Sequence, residues 1–75
     1  MKEKILAIFA EALPQIDVNS SAALVDDGYL DSLSLITLIS ELSMEFGVNF
    51  DMDDLMPENF NSVDAIEETV RRLME

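Results

Sequence analysis

Ser32 is the hydroxyl group whose surroundings in this chain best suit a chemical role. It directly follows Asp31 and stands at the head of the most apolar helical stretch of the sequence. A serine at the start of a helix usually caps it by accepting a backbone N–H, and Ser62 is interpreted as such a cap before the last helical stretch. Asp31 can cap the earlier stretch instead, which leaves the Ser32 hydroxyl free. Because helix N-termini favour anions, a phosphate group would suit that hydroxyl.

The chain contains no histidine that could act as the base of a catalytic triad and activate Ser32 as a nucleophile. It contains no His and no Cys, which excludes imidazole bases, thiolate nucleophiles, disulfides and the usual zinc sites. Serine hydrolases need a base beside the serine. A hydrolase that uses a pair of carboxylates needs a substrate cleft, and a helical bundle this small has little room for one. We therefore predict that the protein is not an enzyme and that another enzyme modifies Ser32.

The charge of the chain restricts its partners. The 75 residues include 16 Asp and Glu but only 4 Lys and Arg, which gives a net charge of −12. Such a surface repels phosphate backbones and anionic lipids, so binding to nucleic acids or membranes is disfavoured and a basic protein partner is favoured. The longest unbroken apolar run, residues 5–10, is far shorter than a membrane-spanning helix. We expect a single domain over residues 1–75, a monomer and a cytoplasmic location.

Three stretches have the apolar spacing of amphipathic helices. The first covers residues 2–13 and is stopped by Pro14, the second runs from residue 31 or 32 to 46 before Gly47, and the third begins near residue 62. Pro and Gly in these positions are typical of helix ends. The residues predicted to face the core are Ile5, Leu6, Phe9 and Leu13 in the first helix, Leu35, Leu38, Ile39, Leu42 and Phe46 in the second, and Val63, Ile66, Val70, Leu73 and Met74 in the third.

The connections between these helices are unequal in length. Residues 48–61 are rich in turn-forming residues and predict one short helical turn near residues 57–60. The connection over residues 14–30 is 17 residues long, whereas helix–helix connections usually take about 2 to 8. Its apolar residues can fold back over the bundle, and it ends directly before Ser32. The sequence therefore predicts an all-α fold of three main helices and one short one, with a long loop after the first helix.

A family resemblance becomes visible around Ser32. Residues 28–33 read Gly-Tyr-Leu-Asp-Ser-Leu, which resembles the attachment motif of acyl carrier proteins and of peptidyl and D-alanyl carriers. The resemblance continues through Glu-Phe-Gly at residues 45–47 and Pro-Glu-Asn-Phe at residues 57–60, and it covers about 50 of the 75 residues. Asp-Ser-Leu alone is a weak signal, but the three motifs in the family's order and spacing are a strong one.

The resemblance implies a carrier with an antiparallel acyl-carrier-like bundle and a covalent 4′-phosphopantetheine group on Ser32. A magnesium-dependent phosphopantetheinyl transferase would take this group from coenzyme A, and Asp31 and Leu33 would complete the motif. Asp31 would help to place the metal or a partner's arginine during transfer, while Leu33 would pack beside the arm. The arm would carry an acyl or aminoacyl group as a thioester between partner enzymes such as acyl or aminoacyl ligases and acyltransferases.

The second helix departs from the best-known fatty-acid carriers, whose exposed face is strongly acidic. Here only Glu41 and Glu45 carry charge between Ser32 and Gly47. D-alanyl and non-ribosomal-peptide carriers are more similar, so we predict a specialised stand-alone carrier that docks more by contact burial than by charge steering. The residues predicted to form its partner surface are Tyr29, Leu30, Ser34, Thr37, Met44, Asp54 and Met56.

Two alternatives remain open. Within the same family, the chain could be a D-alanyl or other aminoacyl carrier of the peptidyl type. In a different functional class, it could be an acidic helical adaptor that bears no prosthetic group.

The acidic residues 51–54 have two interpretations. They could hold a divalent cation, or they could form a solvated turn near the start of a short helix. Because the stretch lacks the Gly and the distal Glu of a calcium-binding EF-hand loop, we predict no dedicated metal site.

Overall fold

A computed structural model describes all residues 1–75. The chain forms three α-helices, α1 (Lys2–Ala12), α2 (Ser32–Phe46) and α3 (Val63–Met74). Two 3₁₀ turns, Met52–Asp54 and Pro57–Asn59, lie between α2 and α3. The predicted all-α bundle is therefore confirmed, with two short turns in place of the single one expected from the sequence.

Each helix ends where its local sequence requires it. After α1, the N–H of Leu13 still reaches the Phe9 carbonyl at 3.0 Å, and the next residue is Pro14, which has no N–H to continue the pattern. After α2, Gly47 adopts the left-handed conformation with φ 65°, and its N–H is bonded to the Ser43 carbonyl. Ser62 caps α3 by accepting from the Ala65 N–H at 3.1 Å. The predicted roles of these three end residues are confirmed.

Two ion pairs show how the helices are arranged. Lys4 at the start of α1 lies 3.4 Å from Glu45 at the end of α2, so these two helices run in opposite directions. Lys2 lies 2.7 Å from Asp64, which places the starts of α1 and α3 side by side. Glu45 is thirteen residues after Ser32, a distance of roughly 20 Å along a helix at about 1.5 Å per residue. Ser32 is therefore at the opposite end of α2 from these ion pairs.

A single apolar cluster fills the bundle and draws on every part of the chain. Its buried members are Ile5, Ile8, Phe9, Leu13, Ile16, Leu24, Leu30, Leu38, Leu42, Phe60, Val63, Ile66 and Val70. Leu35, Ile39 and Phe46 of α2 are half-buried at its margin. Three buried members come from the long loop, so the loop folds over the bundle as predicted.

The core differs from the predicted one in α1 and α3. Leu6 and Met74 are exposed instead of buried, because Leu6 lines an open surface groove and Met74 lies in the last turn of the chain. Ile8 and Thr69 are buried instead. Thr69 is tolerated there because its hydroxyl donates to the Ala65 carbonyl at 2.9 Å, which satisfies the buried polar group.

Asn61 attaches the long loop to the start of α3. Its side-chain oxygen accepts from the N–H groups of Val25 at 2.9 Å and Asp26 at 3.2 Å, and its amide donates to the Asp26 carboxylate at 3.1 Å. Its backbone carbonyl also accepts from the Leu24 N–H at 2.8 Å. Asn61 therefore fixes residues 24–26 of the loop that leads to Ser32, through both its side chain and its backbone carbonyl.

Replacing this side chain is expected to destabilise the fold. In Asn61→Ala, two backbone N–H groups of the loop lose their partner, so the free energy of unfolding should fall by about 1–3 kcal/mol. Urea unfolding followed by circular dichroism measures the change. Asn49→Ala is the matched control, because Asn49 is exposed and its side chain makes no hydrogen bond, and it should change stability by less than about 0.5 kcal/mol. Equal midpoints for the two variants would show that Asn61 does not hold the loop.

None of the three helices has the length and apolar character needed to span a membrane.

Candidate modification site at the start of helix α2

Ser32 is the first residue of α2, and its side chain is exposed. Its hydroxyl takes part in none of the side-chain hydrogen bonds of the chain. Ser62, in contrast, is half-buried and its hydroxyl is engaged as the cap of α3. The two serines at helix starts therefore differ as predicted: one is a cap, and the other is free to react.

Asp31 is the residue that frees Ser32. It has an extended backbone and caps α2, since its Oδ1 accepts from the Ser34 N–H at 2.8 Å. This hydrogen bond lowers the pKa of Asp31 below the ordinary value of an aspartate. An exposed carboxylate that is ionised at neutral pH thus stands beside the Ser32 hydroxyl.

The outer face of α2 beyond Ser32 is apolar and uncharged. Leu33 is 78% exposed, Ile36 61% and Met44 74%. Their spacing of three and eight residues places them on the face opposite the buried Leu38 and Leu42. Ile36 is absent from the predicted partner surface, although its position three residues after Leu33 and two before the core residue Leu38 indicates an outward-facing side chain.

Thr37 and Ser40 lie on the same outer face, and both are exposed. The Thr37 hydroxyl donates to the Leu33 carbonyl at 3.1 Å, so it is turned back onto its own helix. Ser34 and Ser43 are half-buried at the margins of the face. The face thus presents apolar side chains among small hydroxyl residues.

The prediction that Leu30 belongs to the partner surface is wrong. Leu30 is only 2% exposed and belongs to the core cluster. Its N–H donates to the Leu24 carbonyl at 2.9 Å, which closes the last turn of the loop. Gly28, with φ 85°, allows that turn because a side chain would be strained there. Leu30 therefore anchors the chain in the core two residues before Ser32 and cannot contact a partner.

The other predicted surface residues are accessible to different degrees. Tyr29 and Met56 are each nearly half exposed, and Asp54 is half-buried. The Asp54 carboxylate accepts from the Asp51 N–H at 3.0 Å, while Asp51 Oδ1 accepts from the N–H groups of Asp53 and Asp54. This reciprocal capping confirms the turn interpretation of residues 51–54. No group of three or more Asp or Glu side chains is arranged to hold a metal ion.

The comparison with protein families shows to which family the chain belongs. A family model described as the phosphopantetheine attachment site matches residues 3–70, which is nearly the whole chain. The chain belongs to this phosphopantetheine-attachment family. No curated protein and no solved structure shows significant similarity to it.

Membership confirms the resemblance seen in the sequence and establishes a carrier that bears covalent 4′-phosphopantetheine. Domains of this family carry groups without catalysing reactions on them, and they interact with modifying and acyl-handling enzymes. The residues of this chain fit the group, because Ser32 is free and exposed at the positive end of a helix. The group supplies the thiol for a thioester, which a chain without cysteine lacks.

Proposed function

We propose that Ser32 is the attachment point, and that the protein carries an acyl or aminoacyl thioester between partner enzymes. The observation that carries the proposal is the unbonded, exposed hydroxyl at the first residue of α2, next to an aspartate that already caps the helix. The Ser32 Oγ would form a bond to the pantetheine-side phosphorus of coenzyme A. The pyrophosphate bond would break, adenosine 3′,5′-bisphosphate would leave with the electron pair, and the hydroxyl proton would pass to the transferase.

Asp31 has a proposed role in the same transfer. Its carboxylate is exposed, and the Ser34 N–H keeps its pKa low, so it is negatively charged at the pH of the reaction. A carboxylate beside the incoming phosphate repels it unless a cation lies between them. We therefore assign Asp31 to holding Mg²⁺ or a basic side chain of the transferase near Ser32.

Intact mass measurement tests the attachment directly. The purified protein is incubated with coenzyme A, Mg²⁺ and a broad-specificity phosphopantetheinyl transferase. The proposal predicts one added phosphopantetheine per chain. A wild-type protein that stays unmodified with several such transferases would contradict it and favour the adaptor alternative.

The partner surface is proposed to centre on the apolar outer face of α2. It consists of Leu33, Ile36, Thr37 and Met44, with Tyr29, Ser34, Asp54 and Met56 at its edges. Support comes from the exposure of three large apolar side chains within one face of a helix that begins at Ser32. Glu41, one helical turn after Thr37, adds a negative charge beside this face, whereas Glu45 is paired with Lys4 of α1. The surface therefore favours partners that combine an apolar contact area with a basic residue at its edge.

A charge placed in the centre of the partner surface is expected to weaken docking. In Ile36→Glu, the partner enzyme would have to desolvate a carboxylate, so kcat/KM for loading by the transferase should fall about tenfold or more. Ala7→Glu is the matched control, because it adds the same charge on an exposed position of α1 and should leave kcat/KM unchanged. If both variants lose the same activity, overall charge and not this surface governs docking.

A further inference from the structure

The Asn61 side chain uses both of its polar atoms on one turn of the long loop. Its oxygen accepts from the N–H groups of Val25 and Asp26 at 2.9 and 3.2 Å, and its amide nitrogen donates to the Asp26 carboxylate at 3.1 Å. An amide offers an acceptor and a donor at once, whereas an ionised carboxylate only accepts. The contacts therefore suit an asparagine at residue 61 that faces an acceptor at residue 26.

The turn that Asn61 holds is closed and ends two residues before Ser32. The Leu24 carbonyl accepts from the Leu30 N–H at 2.9 Å, which joins the two ends of the turn. Both ends are anchored in the core, since Leu24 is 0% and Leu30 2% exposed. Ser32 follows Leu30 by two residues, a reach of at most about 7 Å along the backbone. A movement of this turn is therefore transmitted to Ser32.

The start of α2 has few other attachments to the rest of the molecule. The Ser32 hydroxyl makes no hydrogen bond, and the Asp31 carboxylate bonds only to the Ser34 N–H of the same helix. Ser34 and Leu35 are half-buried, and the first buried side chain of α2 is Leu38, more than one turn further along. The turn before α2 thus does much to fix where the helix begins.

We infer that Asn61 is a positioning residue for the transfer of phosphopantetheine, because it holds the turn that fixes the start of α2. The inference rests on the proposed attachment at Ser32. Asn61 contacts neither Ser32 nor the coenzyme and acts through the turn and Leu30. The transferase must place the Ser32 oxygen against coenzyme A, and ordering a mobile helix start costs free energy when the two proteins bind. Loss of the Asn61 contacts therefore raises KM for the carrier, whereas kcat changes little because the docked transferase holds the helix start.

An exchange of the two side chains tests this role. Asn61→Asp keeps the shape of the side chain and its acceptor oxygen, but it places a second carboxylate against that of Asp26, and the two repel each other. We expect KM for the carrier to rise about fivefold, with kcat within about twofold of the wild type. In Asn61→Asp/Asp26→Asn the same hydrogen bond forms in the reverse direction, so KM should return to the wild-type value. Intact mass measures the initial rates at saturating coenzyme A and Mg²⁺ with a broad-specificity transferase.

Two single substitutions of Asp26 complete the series. Asp26→Asn controls for the lost charge, because its amide oxygen still accepts from Asn61, and its KM should equal that of the wild type. Asp26→Ala removes the acceptor and should raise KM. Circular dichroism verifies the fold of each variant, and Asp26→Ala tests the same contact if Asn61→Asp does not fold.

Val70→Ala separates positioning from stability. Val70 is fully buried in α3, so its truncation leaves a cavity and lowers stability while the contacts of Asn61 remain. Its KM should equal that of the wild type. The inference is overturned by an equal rise in KM for Val70→Ala, by no rise for Asn61→Asp and Asp26→Ala, or by a double variant that does not regain the wild-type KM. A wild-type protein that is never modified defeats the proposed function itself, whereas a modified wild type with unaffected variants defeats only the positioning role.

Discussion

Ser32→Ala is expected to abolish phosphopantetheine addition completely while leaving the fold intact. The substitution removes the oxygen that forms the new bond, so no slower route through the same residue exists. Because the Ser32 side chain makes no hydrogen bond and is exposed, the free energy of unfolding should change by less than about 0.5 kcal/mol. Intact mass after incubation with coenzyme A, Mg²⁺ and transferase measures the modification, and urea unfolding measures the stability.

Ser62→Ala is the matched control for this prediction, because it replaces the other serine at a helix start. Loss of its cap on α3 should lower stability by about 1 kcal/mol. Its modification should nevertheless equal that of the wild type. Ser32→Ala should thus lose modification and keep its stability, whereas Ser62→Ala should keep modification and lose stability. A mass increase that persists in Ser32→Ala and maps to another serine would show that the site is assigned to the wrong residue.

Leu30→Ala is expected to cause the largest loss of stability among substitutions near the site. Its side chain is fully enclosed by the core, and truncation of a buried leucine leaves a cavity, so we expect a loss of about 2–4 kcal/mol. A domain of this length has a total stability of roughly 4–11 kcal/mol at about 0.05–0.15 kcal/mol per residue. The loss is therefore a large part of the total. Urea unfolding measures it.

Tyr29 and Leu33, which also lie close to Ser32 in the sequence, provide controls of similar size. Tyr29→Ala and Leu33→Ala remove side chains that are 45% and 78% exposed, and each should lower stability by less than about 1 kcal/mol. We also expect Leu30→Ala to slow modification of Ser32, because the loop end that it anchors would become mobile, whereas Tyr29→Ala leaves that anchor in place. If Leu30→Ala is no more destabilising than Leu33→Ala, Leu30 is not part of the core.

The helix boundaries could be predicted from the sequence because their signals are local. Pro14 lacks the N–H that a longer α1 would need, Gly47 adopts a left-handed conformation, and Ser62 reaches an N–H three residues away. The distinction between Ser32 and Ser62 is local as well, since Asp31 is adjacent to the serine that it frees. Each of these interactions spans only a few residues, so residue type and spacing suffice.

The burial of several apolar side chains could not be predicted in the same way, because it depends on contacts with distant parts of the chain. Leu30 and Leu33 flank the same helix start and have the same side chain, yet Leu30 is buried and Leu33 is exposed. The loop before α2 has no repeating pattern that assigns a face to Leu30. In α1, the predicted core stripe included Leu6 and left out Ile8, but Leu6 is exposed and Ile8 is buried, because both α2 and α3 pack against α1.

The sequence by itself determined the three helices, their ends and the fact that Ser32 does not cap its helix. It also showed the family that the motif around Ser32 resembles. Only the tertiary structure decided which side chains hold the loop and close the interior. Asn61 bonds to Val25 and Asp26 across 36 and 35 residues, and Asn59 bonds to Arg72 on another element. These residues come into contact only after the helices have packed. The local sequence around a side chain determines its conformation, but it does not determine which distant part of the chain will pack against it.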